Sequence, residues 1–166
     1  MPISEVHHVA LSVSDLERSI AFYCEVLGFR RALDLSMGGT DLGRMLGVAA
    51  GTKARSVILA QGASTVGEIE LMQFDPPLRE RTRPKQPGDP GVFLLSFEVK
   101  DEELQAVYER LRARGIEFRA EPQSVLLEGY GTIQALLFED PDGVIIELVQ
   151  LPSREEVRHH RQRNAG

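Results

Sequence analysis

The chain contains an internal repeat, which limits the architectures that it can adopt. Residues 9–13 (VALSV) form an alternating strand pattern that is followed by apolar residues at helical spacing. A second such run, 95–99 (LSFEV), is followed by a second helical pattern. An offset of 86 residues aligns the two runs and places Asp15 on Asp101. Each copy is therefore predicted to begin with a strand and a helix.

The two copies also end alike. Residues 69–73 (IELMQ) and 146–150 (IELVQ) differ at a single position. Between its beginning and its end each copy has two further β-like runs, at 29–35 and 55–60 in the first copy and at 117–119 and 132–138 in the second. The sequence thus predicts an α+β fold made of two repeated βαβββ modules.

Proline content and charge predict the boundaries of these modules. The segment 76–91 contains most of the chain's prolines and many charged residues, as is typical of a linker. The first module then spans residues 1–75 and the second 92–152. Residues 153–166 form a charged C-terminal tail, for which a helix and a disordered segment are alternatives.

Composition excludes several classes of function. The 166 residues carry a net charge of -6, which opposes a broad basic surface for nucleic acid. The sequence contains neither an apolar run long enough to cross a bilayer nor a signal region at its start, so we expect neither membrane insertion nor secretion. Cys24 is the only cysteine, which leaves no intrachain disulfide and fits the reducing cytoplasm that we predict as the location.

Strand alternation separates three polar residues from the predicted core. His8, Glu70 and Glu147 lie on the faces opposite the apolar residues of their strands, whereas His7 has the other parity and is predicted to be structural. A single carboxylate on a strand is most often merely solvated, but the repeat places one at the matching position of both copies. One imidazole and two carboxylates suit a divalent first-row metal ion.

Two longer motifs resemble a known family. The segment 8–23 (HVALSVSDLERSIAFY), with Gly28 following, and the segment 138–148 (FEDPDGVIIEL) are similar to the opening and closing signatures of the vicinal oxygen chelate superfamily. That superfamily includes glyoxalase I, methylmalonyl-CoA epimerase, extradiol dioxygenases, and fosfomycin and bleomycin resistance proteins. The resemblance covers both modules and implies a cupped sheet around a central cleft.

The resemblance also implies where a metal would bind. The four metal positions of the family fall on His8, Glu70, Leu94 and Glu147, and members with a full site usually have histidine where this chain has Leu94. Leucine cannot bind a metal, so the site either has three protein ligands for one divalent ion (Zn, Ni, Co, Mn or Fe) or holds no metal. Because extradiol cleavage in the family uses two histidines and one glutamate on iron, Leu94 also disfavours a dioxygenase, which is the remaining alternative within the superfamily.

The implied function is therefore a metal-dependent lyase, isomerase or epimerase of glyoxalase type, acting on a small oxygen-rich carbonyl compound. The metal would stabilise an enediolate, and Glu147 or Glu70 would be ligand and proton-transfer base at once. A metal-free ligand-binding protein, similar to bleomycin-resistance proteins, is the alternative from another class. In either case the expected partner is a small molecule rather than a nucleic acid or a membrane, and a homodimer is left open.

Overall fold

The computed structural model describes residues 3–78 and 83–163. Part of the predicted linker (79–82), the end of the predicted tail (164–166) and the first two residues lie outside the described part of the chain. By its internal contacts the chain divides into two compact units, Met1–Arg83 and Pro84–Gly166. Each unit has its own four-stranded sheet and is described separately below.

The first unit has four strands and two helices. Along the chain they are β1 (His8–Ser12), α1 (Leu16–Glu25), β2 (Arg30–Met37), α2 (Gly39–Leu46), β3 (Lys53–Ala60) and β4 (Glu68–Asp75). In the sheet the order is β1-β4-β3-β2, and β1 and β4 run parallel while the other neighbours are antiparallel. The first strand of the unit is thus paired directly with its last strand.

Helix α1 forms where the sequence supplies a cap and an apolar stripe. Asp15 is the N-cap, and its Oδ1 accepts a hydrogen bond from the backbone N–H of Arg18 at 3.0 Å. Leu16, Ile20 and Tyr23 lie at helical spacing and are nearly inaccessible to solvent, each stabilising the unit by about 1.5–3 kcal/mol relative to exposure. These residues belong to the core on one face of the sheet, and the other face carries the polar residues discussed below.

The second unit repeats the four strands and the first helix of the first unit in the same order. Its elements are β5 (Leu94–Glu98), α3 (Leu104–Ala113), β6 (Gln123–Leu127), β7 (Gly131–Glu139), β8 (Ile145–Gln150) and a final helix α4 (Arg154–Arg163). The sheet order is β5-β8-β7-β6, with β5 and β8 parallel, so each strand has the same place as its counterpart in the first unit. The prediction of an α+β fold with two repeated βαβββ modules is confirmed.

Two glutamines explain why the copies end alike. Gln73 at the end of β4 accepts a hydrogen bond from the N–H of Leu16 (3.0 Å), and Gln150 at the end of β8 does the same for Leu104 (3.3 Å). Each amide also donates to a carbonyl just before the same helix. The first N–H groups of a helix have no partner within it, so each glutamine satisfies one of them and ties the last strand to the helix.

The second copy departs from the sequence prediction in two places. The run 117–119 is no strand: Phe118 forms only an isolated bridge to Phe138, and the edge strand is β6, which follows Pro122. Asp101, which the 86-residue offset aligned with the N-cap Asp15, has a left-handed backbone (φ 61), and the N-cap of α3 is Glu103. Two additional residues therefore precede the helix in the second unit. The C-terminal tail, for which helix and disorder were alternatives, contains α4.

No helix in the described residues is both long enough and apolar enough to cross a membrane.

Candidate functional site

In the first unit, neighbouring strands bring His8 and Glu70 together. The parallel register of β1 and β4 sets Ala10 opposite Glu70 and His8 opposite Glu68, so His8 is diagonal to Glu70 on the same face. The His8 Nε2 atom lies 3.2 Å from Oε2 of Glu70. The Glu70 side chain is only 15% exposed, whereas that of His8 is 39% exposed. A shielded carboxylate is thus presented beside an accessible imidazole.

The other oxygen of Glu70 is held by a serine. Ser56 on β3, whose side chain is fully buried, donates from Oγ to Oε1 of Glu70 at 2.5 Å. This distance is at the short end of the range for a hydroxyl bonded to an ionised carboxylate. Both oxygens of Glu70 therefore have a partner.

His7, for which the sequence predicts a structural role, also contacts this arrangement. Its Nδ1 atom lies 2.9 Å from Nδ1 of His8, and the two rings meet edge to face. One of the two Nδ1 atoms must carry the proton that the other accepts. If Nε2 of His8 is to act as a metal ligand, His8 carries the proton on Nδ1 and donates it to His7, which fixes the tautomer that a ligand needs.

In the second unit, Glu147 is held in a similar way but without a histidine. Ser96 on β5 lies directly opposite Glu147 on β8 and donates to its Oε2 at 2.6 Å. Leu94 lies on β5 two residues before Ser96, the residue opposite Glu147. In the first unit His8 lies likewise two residues before the residue opposite Glu70, so Leu94 has the position of His8. Among the described residues Oε1 of Glu147 has no hydrogen-bond partner, and the side chain is half-buried.

The structure therefore brings His8 and Glu70 together and places Glu147 in the other unit. In the part of the chain that the structure describes, no three His, Cys, Asp or Glu side chains form a group that could hold a metal ion.

The His8–Glu70 pair is nevertheless suited to an ion. With metal–ligand bonds of about 2.0–2.2 Å, neighbouring ligands of a tetrahedral or octahedral ion lie about 3.0–3.5 Å apart. The 3.2 Å between Nε2 and Oε2 falls inside that range. An imidazole nitrogen and a carboxylate oxygen are also the donor types that divalent first-row metals accept. Both the separation and the donor chemistry of this pair fit a divalent metal.

Ser56 and Ser96 were missed by the sequence analysis. The repeat does not reveal them, because the 86-residue offset aligns Ser96 with Ala10. Ser56 lies two residues before Ile58, the partner of Glu70, and the corresponding position in β7 is Ala135. Only the cross-strand register, which the sequence does not specify, brings either hydroxyl to its carboxylate.

Comparison with known proteins identifies the family. Residues 5–148 match the model of the Glyoxalase/Bleomycin resistance protein/Dioxygenase superfamily. The chain belongs to this superfamily. The resemblance seen in the opening and closing motifs is thereby confirmed over nearly the whole chain.

Individual known proteins are similar to this chain over most of its length. It is 32% identical over 151 residues to the 2-epi-5-epi-valiolone epimerase of an Actinomyces species, covering 89% of this chain and 80% of the relative. A lactoylglutathione lyase-like protein of Aspergillus terreus is 30% identical over 164 residues, covering 91% and 77%. The crystal structure of a glyoxalase family protein from Bacillus cereus matches with a TM-score of 0.75 at 20% identity, covering 92% and 97%, and shows the common fold.

Proposed function

We propose that the protein is a metal-dependent epimerase or related isomerase or lyase of glyoxalase type, and that His8, Glu70 and Glu147 hold one divalent ion. The observation that carries the proposal is the 3.2 Å approach of His8 to the shielded Glu70 carboxylate. Glu147, at the matching strand position of the second unit, supplies the third donor. Similarity to an epimerase at 32% identity supports the reaction class.

The two glutamates have different hydrogen-bond partners, and we assign them different roles. A divalent ion, when bound, polarises a substrate carbonyl and makes the hydrogen on the neighbouring carbon more acidic. Glu70 has Oε1 engaged by Ser56 and Oε2 beside His8, so we assign it a binding role. Among the described residues Glu147 has a hydrogen bond only at Oε2, from Ser96, so its Oε1 would bind the ion and, when released from it by the incoming substrate, would accept a proton from that carbon and return one.

The charge of the first unit's sheet favours an uncharged substrate. In β1, β3 and β4 the residues on the Glu70 face include no lysine or arginine. On the neighbouring strand β2, Arg30 is positively charged. Its Nε and Nη2 donate to the backbone carbonyl of Gly62. Among the described residues on the Glu70 face of β1, β3 and β4 an anionic group would meet no lysine or arginine, whereas hydroxyl and carbonyl oxygens can bind an ion. We propose a neutral polyhydroxylated ketone as the substrate class.

Solvent exchange tests the reaction directly. Metal-loaded protein should transfer deuterium from heavy water to the carbon next to the carbonyl of a neutral α-hydroxy ketone, as followed by NMR. Glutathione hemithioacetals and acyl-CoA thioesters, which carry anionic groups, should exchange more slowly. Glu147→Gln should slow exchange by about 10²–10⁴-fold, because an amide cannot accept the proton.

Two controls separate proton transfer from binding. Glu147→Gln keeps an amide oxygen for the ion and should retain metal, whereas Glu70→Ala should lose exchange together with metal. Glu128→Gln, in the exposed turn after β6, should keep both. If a ketone binds tightly in the presence of metal and returns without deuterium, the protein is a ligand-binding member of the superfamily and the proposed reaction is wrong.

A further inference from the structure

Both candidate carboxylates receive a short hydrogen bond from a serine on a neighbouring strand. The distance is 2.5 Å from Ser56 to Glu70 and 2.6 Å from Ser96 to Glu147. A hydroxyl has a single proton to donate, so each serine engages one oxygen of its carboxylate and leaves the other oxygen for a different partner. In Glu70 the remaining oxygen is the one beside His8.

The two serines come from positions that are not equivalent. Ser56 lies on β3, whose counterpart position in β7 is Ala135, and Ser96 lies on β5, whose counterpart position in β1 is Ala10. The repeat therefore does not relate the two serines to each other. The same short contact to the same carboxylate arises twice from different strands, which a general packing requirement does not explain.

Burial adds a second argument for Ser56. Its side chain has no exposed surface, and a buried hydroxyl without a partner would destabilise the fold. Alanine at this position would fill the space without burying a polar group. The second unit has alanine at the corresponding position, Ala135, which is 6% exposed. The hydroxyl in the first unit is thus an addition that the packing alone does not require.

We propose that Ser56 and Ser96 are positioning residues that orient Glu70 and Glu147 so that each offers a single oxygen to the ion. This inference rests on the proposed function. A carboxylate with one oxygen engaged in this hydrogen bond favours binding the ion through the other oxygen over chelating it with both. Binding through one oxygen occupies fewer coordination positions of the ion than chelation. The positions left, together with the one for which Leu94 supplies no ligand, can accept two adjacent oxygens of a substrate.

The test is calorimetric titration of the full chain with Zn²⁺, with thermal unfolding measured in parallel. Ser56→Ala and Ser96→Ala should each weaken the affinity by about 10–100-fold, as the loss of an orienting partner typically does. Ser96→Thr keeps the hydroxyl at an exposed strand position and should restore the affinity. Ser36→Ala is the control. Ser36 is exposed and lies opposite Arg55 on the helix-covered face of the sheet, away from Glu70, so its removal should leave the affinity unchanged.

Glu70→Ala and Glu147→Ala, measured alongside, separate the two claims. If these variants lose Zn²⁺ while Ser56→Ala and Ser96→Ala bind it like the wild type, the positioning role is wrong and the metal site stands. If the glutamate variants also bind like the wild type, the metal site itself is wrong, and with it the role of the serines. Should Ser56→Ala fail to fold, Ser96→Ala and its threonine rescue decide the matter, because Ser96 is exposed.

Discussion

The two units share a topology and differ in the residue beside the glutamate. In the first unit the parallel strand pair presents His8 to Glu70, and in the second the same place holds Leu94. The first unit thus brings an imidazole and a carboxylate together, whereas the second has one carboxylate whose Oε1 accepts no hydrogen bond from the described residues. The two units therefore share one framework but present different polar groups on their sheets.

The shared framework is most evident where each last strand meets its helix. Gln73 and Gln150 make the same pair of hydrogen bonds at the starts of α1 and α3, although the loops before these helices differ in length. Outside this junction the units diverge. On the helix-covered face of the first sheet, Arg55 forms ion pairs with Glu17 and Asp34. Hydrogen bonds from Arg55 and, to a smaller extent, from Arg31 lower the pKa of Glu17. In the second unit the corresponding helix pairs Glu102 with Arg110.

The largest expected contrast lies in the turns before the last strands. Gly67 and Gly143 both have positive φ, but a Cβ on Gly67 meets nothing within 4 Å whereas one on Gly143 would lie 2.4 Å from Cγ of Pro84. Gly67→Ala should cost about 1–2 kcal/mol of unfolding free energy from backbone strain. Gly143→Ala should lose about 1–3 kcal/mol more, because the Pro84 ring must move. Urea unfolding measures both variants, and equal losses would contradict the close packing of Gly143.

Next in size is the effect of restoring the missing ligand. Leu94→His should tighten Zn²⁺ binding by about tenfold or more, equivalent to about 1.4 kcal/mol, because it completes a four-ligand set. An added histidine can bind Zn²⁺ on its own, so Val125→His on the exposed edge strand β6 serves as the control and should leave the affinity unchanged. Calorimetric titration distinguishes the two. Unchanged or weaker binding in Leu94→His would show that residue 94 does not face the ion.

The smallest effect tests the framework that the units have in common. Gln73→Ala and Gln150→Ala should each lower the unfolding free energy by about 1 kcal/mol, because each removes a hydrogen bond to a helix N-terminus. Gln105→Ala, whose amide bonds only to Glu109 on the exposed side of α3, should cost less. Clearly unequal losses at Gln73 and Gln150 would mean that the junction is not energetically equivalent in the two units.

Much of the fold was accessible from the sequence because repeated strands and helices leave periodic patterns. Alternation placed His8 and Glu70 on one face of their strands, and the parallel register of β1 and β4 sets them on a common face of the first sheet. The edge strand of the second unit was misplaced to 117–119 because a three-residue run carries too little periodicity to separate a strand from an isolated bridge.

The polar contacts of the site were less predictable. The bonds from Ser56 and Ser96 depend on which residues of neighbouring strands lie side by side, and a single serine leaves no periodic signal. The contact between His7 and His8 was missed for a related reason: strict alternation assigns adjacent residues to opposite faces, yet His7 precedes the first residue of β1 and its ring reaches that of its neighbour.

Metal analysis of the purified protein tests the central claim most directly. Protein isolated without chelators, supplemented with divalent metal and then desalted, should contain about one ion per chain by plasma mass spectrometry. His8→Ala, Glu70→Ala and Glu147→Ala should each lower this occupancy strongly, while Glu128→Ala should retain it. Occupancy below about a tenth of an ion per chain, or full occupancy in Glu147→Ala, would contradict the assignment of these three residues to one site.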